Sequence, residues 1–396
     1  MKIVWTNQFA QLPDKGGGTR HFELASELYK RYNIKTTIIA GNKNYLSGEK
    51  VFKKQGCYNV GNVEFCVLDI AYRPGYVLRT YSWLEFAIKL WTLRDVFKSA
   101  DFIIGSSPTI FGAYSTMKLA QKYKKTFILE VRDLWPEILK DSNKLSEKSP
   151  VYRFLDNISK KLYRNANHII TLSKGQKDHI KNYTKAPITV VYNGMSDGIV
   201  SNIENIEKYN GFNIVYAGAL GYANDIETIV KTAEKMKHYE DIKFHILGGG
   251  PYRKYIDDAI KKGLSNIIYY GMMPKKEAFR IMKRCQVGLL TLRNIELFRY
   301  GVSPNKLFDY LSLGLYVVST VKGEIEGIVK ESEFGETVEP GNPDTLVLTI
   351  EKLYHRYLKQ PGYFERQQGM DFVKANYSRR KMTEKIWYIF KDIKRM

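Results

Sequence analysis

Short apolar runs punctuate the first half of the chain at residues 2–6, 36–40, 102–105, 126–131, 168–172 and 188–192. Between most of them apolar positions recur every three or four residues, as in 20–32 and 152–165, the spacing of one helix face. Strands alternating with helices predict a parallel sheet covered on both faces. A polar stretch, 196–210, interrupts the rhythm, which restarts at 213–216, 243–247, 266–270, 287–291 and 315–320. The pattern therefore predicts two α/β halves of the same kind, residues 1–195 and 196–378, followed by a helix over 379–394. That last helix sets Met382, Ile386, Trp387 and Phe390 on one face. At 396 residues the chain is long enough for two ordinary cores. Ligands of such sheets bind beyond the carboxyl ends of the strands.

Residues 72–97 depart from this rhythm. From Trp83 onward, Glu85, Lys89, Thr92 and Asp95 form a narrow polar stripe, while Trp83, Phe86, Leu90, Trp91, Leu93 and Phe97 cover the rest of the helix. A helix apolar over most of its circumference is normally buried. The alternative is a helix lying in a bilayer interface, with Arg73, Arg79, Arg94 and nearby tyrosines at headgroup level. The pattern leaves both open.

Charge sharpens the second possibility. The formal net charge is +21, and residues 1–200 hold 31 Lys/Arg against 17 Asp/Glu, the remainder 31 against 24. A basic surface suits nucleic acid, an anionic membrane face or a phosphorylated substrate. No nucleic-acid-binding motif occurs, so nucleic acid is not an expected partner. No run of about eighteen apolar residues predicts a transmembrane helix, and the first residues enter a strand without the zones of a signal peptide. Cys57, Cys66 and Cys285 are scattered and odd in number. Neither a metal site nor a disulfide framework is expected from them, which fits a reducing cytoplasm.

The candidate chemistry sits just past predicted strands. Gly16, Gly17 and Gly18 follow the first strand and open a helix at Thr19, Arg20 and His21. Glycines there allow close backbone approach to a ligand. His21 reads as a helix-surface histidine. Residues 127–137, FILEVRDLWPE, end a buried strand in a burst of charge, Glu130, Arg132 and Asp133. Charges at such a strand end are costly unless paired or used, so an Arg132 ion pair with Glu130 or Asp133 competes with a functional role. Glycine turns follow the strands at 215–221 (VYAGALG) and 245–251 (HILGGGP), and 267–273 ends in Met272-Met273. In residues 303–319, SPNKLFDYLSLGLYVVS, turn residues lead into a helix, a glycine stop and an apolar strand. Free N–H groups at that helix start suit a phosphate. Lys306 adds a charge there, and Asp309, one turn in, can accept from sugar hydroxyls.

Residues 303–319 resemble the donor-binding signature of family 4 glycosyltransferases of the GT-B fold, and 127–137 resembles the RDLWP-type motif of bacterial surface-polysaccharide transferases, including the O-antigen and capsule N-acetyl-hexosamine transferases. The resemblance runs from Gly16 to the last helix. It implies two Rossmann-like, doubly wound domains facing across a cleft, with the final helix crossing back to the first. It implies a retaining, metal-independent transferase with no cofactor. The sugar, an N-acetylated or deoxy hexose, passes from a UDP-sugar to an undecaprenyl-diphosphate-linked saccharide on the cytoplasmic membrane face. Asp133, supported by Arg132 and Glu130, then becomes the catalytic group on the acceptor side, with Arg20 and Arg132 as acceptor contacts. Gly17, Gly18, Gly218, Gly249, Met272, Arg293, Ser303, Asn305, Lys306 and Asp309 become donor contacts. Three departures stand out. Many relatives carry a cation just after the glycine that stands here as Gly218, and another further along. In this chain Ala219 follows Gly218 and Asn224-Asp225 stand near the second position, so Lys306, Arg293 and Arg299 are the candidates to compensate the diphosphate. Gly301 stands where an acid is common, and Pro304 lacks an N–H. The rivals are a non-hydrolysing UDP-sugar 2-epimerase of the same fold, whose acid and base groups cannot be assembled from six histidines, and a basic nucleic-acid-binding or membrane scaffold protein.

Overall fold

The computed structural model describes every residue except 13–17, 45–47, 72–75, 142–144, 196–205, 294, 296–300, 302 and 396. The chain forms two compact units, Met1–Tyr192 with Arg379–Met396, and Asn193–Ser378. The division at Tyr192 precedes the polar stretch at 196, and the last helix belongs to the first unit.

In the first unit the strands are β1 (Lys2–Thr6), β2 (Lys35–Gly41), β3 (Gly56–Val60), β4 (Val63–Leu68), β5 (Phe102–Ser106), β6 (Thr126–Val131), β7 (His168–Thr171) and β8 (Ile188–Val190). They form one sheet in the order β3-β4-β2-β1-β5-β6-β7-β8, parallel throughout except for the β3–β4 hairpin. The central strands are continuous apolar runs because helices cover both faces. Strand order reverses between β1 and β5, which places a crevice beyond their carboxyl ends. The last helix, Arg379–Arg395, packs on Arg20–Tyr32, with Trp387 stacked on Tyr32 at 4.5 Å between ring centroids. Phe390 meets Phe102 of β5.

Two expectations are corrected here. The β3–β4 hairpin sets Cys57 opposite Cys66, and the two form a disulfide. Their nine-residue separation carries no framework pattern, but Val60 pairs with Val63 around Gly61-Asn62, and that register brings the sulfurs together. Glu64 lies beside them; with both sulfurs bonded to each other, this group is no metal site. Cys285 is free and buried.

The apolar segment is also not one uniform helix. It forms Tyr76–Lys89, a 3-10 turn Leu90–Leu93 and a short helix Arg94–Lys98. Trp83, Phe86, Leu90 and Phe97 are buried, and Trp83 meets Trp135 edge-on at 5.4 Å. Tyr81, Leu84, Ile88 and Trp91 point outward, with Tyr81 58% and Ile88 71% exposed. The buried-helix reading thus holds for one face of the segment, while the other face leaves apolar side chains exposed.

The second unit contains β9 (Phe212–Ala217), β10 (Ile242–Leu247), β11 (Ile267–Gly271), β12 (Val287–Leu290), β13 (Tyr316–Ser319) and β14 (Gly335–Thr337). All pair in parallel, in the order β11-β10-β9-β12-β13-β14. Here the order reverses between β9 and β12. Among the described residues, no helix is long and apolar enough to cross a membrane.

Candidate active site

At the carboxyl end of the first sheet, Glu130 closes β6 with no exposure at all. One carboxylate oxygen accepts from Arg20. The other accepts from Ser106, from His21 Nε2 at 2.8 Å and from Trp5 Nε1 at 3.3 Å. Burial alone would raise this carboxyl, but Arg20 and His21 outweigh it and hold it well below the usual range. Burial brings His21 down to about 4 against the pull of Glu130, so the ring is neutral and donates through Nε2. Arg20 is lowered to about 10 by burial, and its second Nη donates to the Val191 carbonyl at 3.0 Å.

This network changes three expectations. Arg20, expected as an acceptor contact, is buried, with its Nη atoms held by Glu130 and Val191 and its Nε without a partner among the described residues. His21 is a core residue rather than a helix-surface histidine. Glu130 pairs with Arg20 and not with Arg132, and as a fully enclosed group it positions the strand end without reaching a ligand.

The groups that remain open lie just beyond. Asp133 is exposed and Arg132 is half-buried. Crowding by protein raises the Asp133 carboxyl above its ordinary value, with Arg132 opposing, and its access to water limits that rise. Trp135 is held through its carbonyl by Ser159 at 2.6 Å, and Arg132 through its carbonyl by Gln176 at 3.1 Å. Among the described residues, several buried polar atoms at this end lack partners: Gln8 Oε1, both amide atoms of Gln11, Ser107 Oγ, Arg132 Nη1 and Trp135 Nε1. These residues follow β1, β5 and β6, which are adjacent in the sheet. An unpaired buried polar group costs about 1–3 kcal/mol, a cost that a polar ligand removes. Gln8, Gln11 and Ser107 carry no motif, so the sequence did not mark them. Gly18 is described, its carbonyl accepting from Gln11 N–H at 3.1 Å, whereas Gly17 lies outside the described residues.

In the second unit the turn after β9 meets the helix Asn305–Ser312. A Cβ at Gly218 would stand 2.8 Å from Lys306 Cε, so glycine is needed for the lysine to cross there. Lys306 Nζ donates to Asn224 Oδ1 at 2.6 Å and to Tyr216 Oη at 3.0 Å. No carboxylate pairs with it among the described residues, and desolvation lowers its pKa to about 7. Asn305 is exposed at the helix start, where N–H groups have no intrahelical partner. Ser303 Oγ accepts from the Asn193 N–H at 2.9 Å, which ties down the loop entering that helix.

The remaining donor candidates are placed as follows. Asp309 pairs with Lys275 at 3.3 Å. Met272 is 66% exposed, and a Cβ on Gly249 would come within 2.7 Å of its Cγ. Arg293 is tied to Glu227 at 2.9 Å and donates through Nε to the Tyr222 carbonyl at 2.8 Å. Its charge is therefore already compensated, which leaves Lys306 as the open cation of the pair. Arg299 lies outside the described residues.

Two doubly wound parallel sheets, each with polar groups at its carboxyl end, define an α/β fold of two similar units, and comparison with known proteins gives the class. The family model Glycosyltransferase Family 4 matches residues 15–197, and Glycosyl transferases group 1 matches residues 211–356. A probable glycosyltransferase of Pseudomonas aeruginosa, WbjE, is 23% identical over 292 residues, 69% of this chain and 70% of its own. Sucrose-phosphate synthase of Thermosynechococcus elongatus shares the fold with a TM-score of 0.75 at 13% identity, over 99% of this chain and 98% of its own. Anabaena HepE, solved with UDP-glucose, gives 0.67 at 13% identity over 99% and 100%. The chain belongs to the family 4-like glycosyltransferases of the GT-B fold. It is a transferase, and the epimerase and scaffold readings fall with that assignment.

Proposed function

We propose that the protein moves an N-acetylated or deoxy hexose from a UDP-sugar to an undecaprenyl-diphosphate-linked saccharide, with retention and without a metal ion, in O-antigen or capsule assembly. The observation that carries this reading is Lys306, a desolvated cation beside a helix start with no carboxylate partner among the described residues. A UDP diphosphate supplies the missing anion, and the charge that develops on leaving UDP is what such a group stabilises. HepE, solved with UDP-glucose, supports a UDP-linked donor. Because the grip consists of backbone N–H groups and a lysine, chelation leaves transfer intact on this reading. Asp133 then orients the acceptor hydroxyl and takes its proton, with Arg132 beside it. Retention follows from attack on the face that UDP leaves, which needs no protein nucleophile.

The outward face of Tyr76–Lys89 favours an acceptor embedded in a membrane. Tyr81, Leu84, Ile88 and Trp91 form an exposed apolar stripe. Cations surround it. Arg79, Arg94 and Lys98 are exposed on the same segment, and Lys118 and Lys122 on the adjacent helix Ile110–Lys122, with Lys122 5.5 Å from the Trp91 ring. Apolar insertion flanked by basic charge is the chemistry of docking on anionic lipid at the cytoplasmic leaflet.

Titration of UDP into the wild type and Lys306→Ala tests the donor assignment. Loss of one charge-assisted contact predicts at least about tenfold weaker binding, roughly 1.5–3 kcal/mol. Equal affinity in the two proteins removes this pocket from the account.

A further inference from the structure

Lys306 is aimed by two residues that are themselves pinned. Tyr216 is buried, and its hydroxyl donates to the Ala219 carbonyl at 2.7 Å, which turns the oxygen lone pairs toward the lysine. The ammonium also lies 4.4 Å from the Tyr216 ring centroid. Asn224 is fixed through its backbone, its N–H donating to the Gly221 carbonyl at 3.0 Å and its carbonyl accepting from Thr291 Oγ1 at 2.8 Å. The Ala219 carbonyl and the Asn224 side chain thus both belong to the frame around Lys306.

Every group in that frame is neutral. Among the described residues the nearby charges are committed elsewhere: Asp225 accepts from Thr228, Glu227 pairs with Arg293, and Asp309 pairs with Lys275. Tyr216 and Tyr310 are both pushed up by burial and stay protonated. A carboxylate at position 224 would hold the ammonium equally well but would cancel the charge that a diphosphate needs. An amide gives direction without neutralisation.

We propose that Asn224 and Tyr216 are positioning residues that hold Lys306 as an uncompensated cation for the diphosphate of the donor. The proposal rests on the donor reading above. It carries a proton signature: with Lys306 lowered to about 7 in the free protein, UDP binding near neutral pH takes up a proton.

The test is calorimetric titration of UDP into the wild type, Asn224→Asp, Tyr216→Phe and Lys306→Ala over about pH 6 to pH 9. Wild-type affinity is expected to fall as pH rises through that window. Asn224→Asp is expected to weaken UDP about tenfold at low pH and to move the decline to higher pH, because the new carboxylate keeps the lysine charged while competing for it. Tyr216→Phe, which keeps the ring, is expected to lose affinity while the melting temperature falls by only roughly a few degrees, the cost of one buried hydrogen bond. The proposal is overturned if Asn224→Asp binds UDP as the wild type does with an unshifted pH profile. Should that variant fail to fold, unchanged affinity and profile in Tyr216→Phe overturn it. Lys306→Ala separates the two readings. If it alone loses UDP, only the positioning proposal fails; if it binds UDP normally, the donor reading fails.

Discussion

A buried carboxylate keeps its charge only where donors replace the water it has lost, and Glu130 meets that condition with Arg20, His21, Ser106 and Trp5. Removing the charge strands Arg20, so Glu130→Gln should destabilise the fold by about 3–5 kcal/mol in denaturant titration. A loss below about 1 kcal/mol would show that the network is not a load on folding. His21 adds a pH dependence of definite sign. Its native pKa, about 4, lies below the unfolded 6.5, so the unfolded state binds the proton first. Stability is fully present above 6.5 and falls as pH drops toward about 4. Unfolding midpoints that stay flat across that interval would contradict the burial of a neutral ring. The proposed function assigns Asp133 to the chemistry instead. Asp133→Asn should lower turnover by about 10²-fold or more and leave UDP affinity unchanged. Near-normal turnover would reduce Asp133 to a structural group. At this scale the sequence showed the charges but not their pairing: Arg20 and Glu130 stand 110 positions apart, and no local pattern reports which of two nearby cations a carboxylate meets.

At the scale of elements, the helix Arg20–Tyr32 and the strand Thr126–Val131 were legible to the residue, because apolar period and length agree there. β3 and β14 were not, since these short edge strands are partly polar and have little apolar run to show, and β4, an interior strand, has its apolar run broken by Glu64. Residues 72–97 were legible only as apolar. Which of two apolar faces a helix buries depends on its neighbours, here Trp135 against Trp83. That division yields a paired prediction. Ile88→Ser and Tyr81→Ser should weaken flotation with anionic liposomes and leave the melting temperature near wild type, since only exposed area changes. Trp83→Ser should cost about 3–5 kcal/mol of stability by opening a cavity. Binding should also fall with ionic strength, because exposed cations are screened over about 8–10 Å. A wild type that ignores anionic liposomes at low salt would sink the docking idea.

For the whole molecule, two units each built as a doubly wound sheet gather polar groups at the strand ends. On the proposed reading, the donor chemistry centres on Lys306 in one unit and the acceptor chemistry on Asp133 in the other. The fold was legible because the strand–helix rhythm repeats with a polar interval between, while the identity of the sugar depends on side chains that no period reveals. The most direct measurement incubates the full chain with a panel of UDP-N-acetylhexosamines and UDP-deoxyhexoses, an undecaprenyl-diphosphate saccharide and excess chelator, and follows UDP release together with the anomeric configuration of the product. The account predicts UDP release coupled to a lengthened saccharide whose new linkage keeps the donor's anomeric configuration, at a rate that chelation does not change. An inverted linkage, a donor isomerised without UDP release, or turnover abolished by the chelator would contradict it.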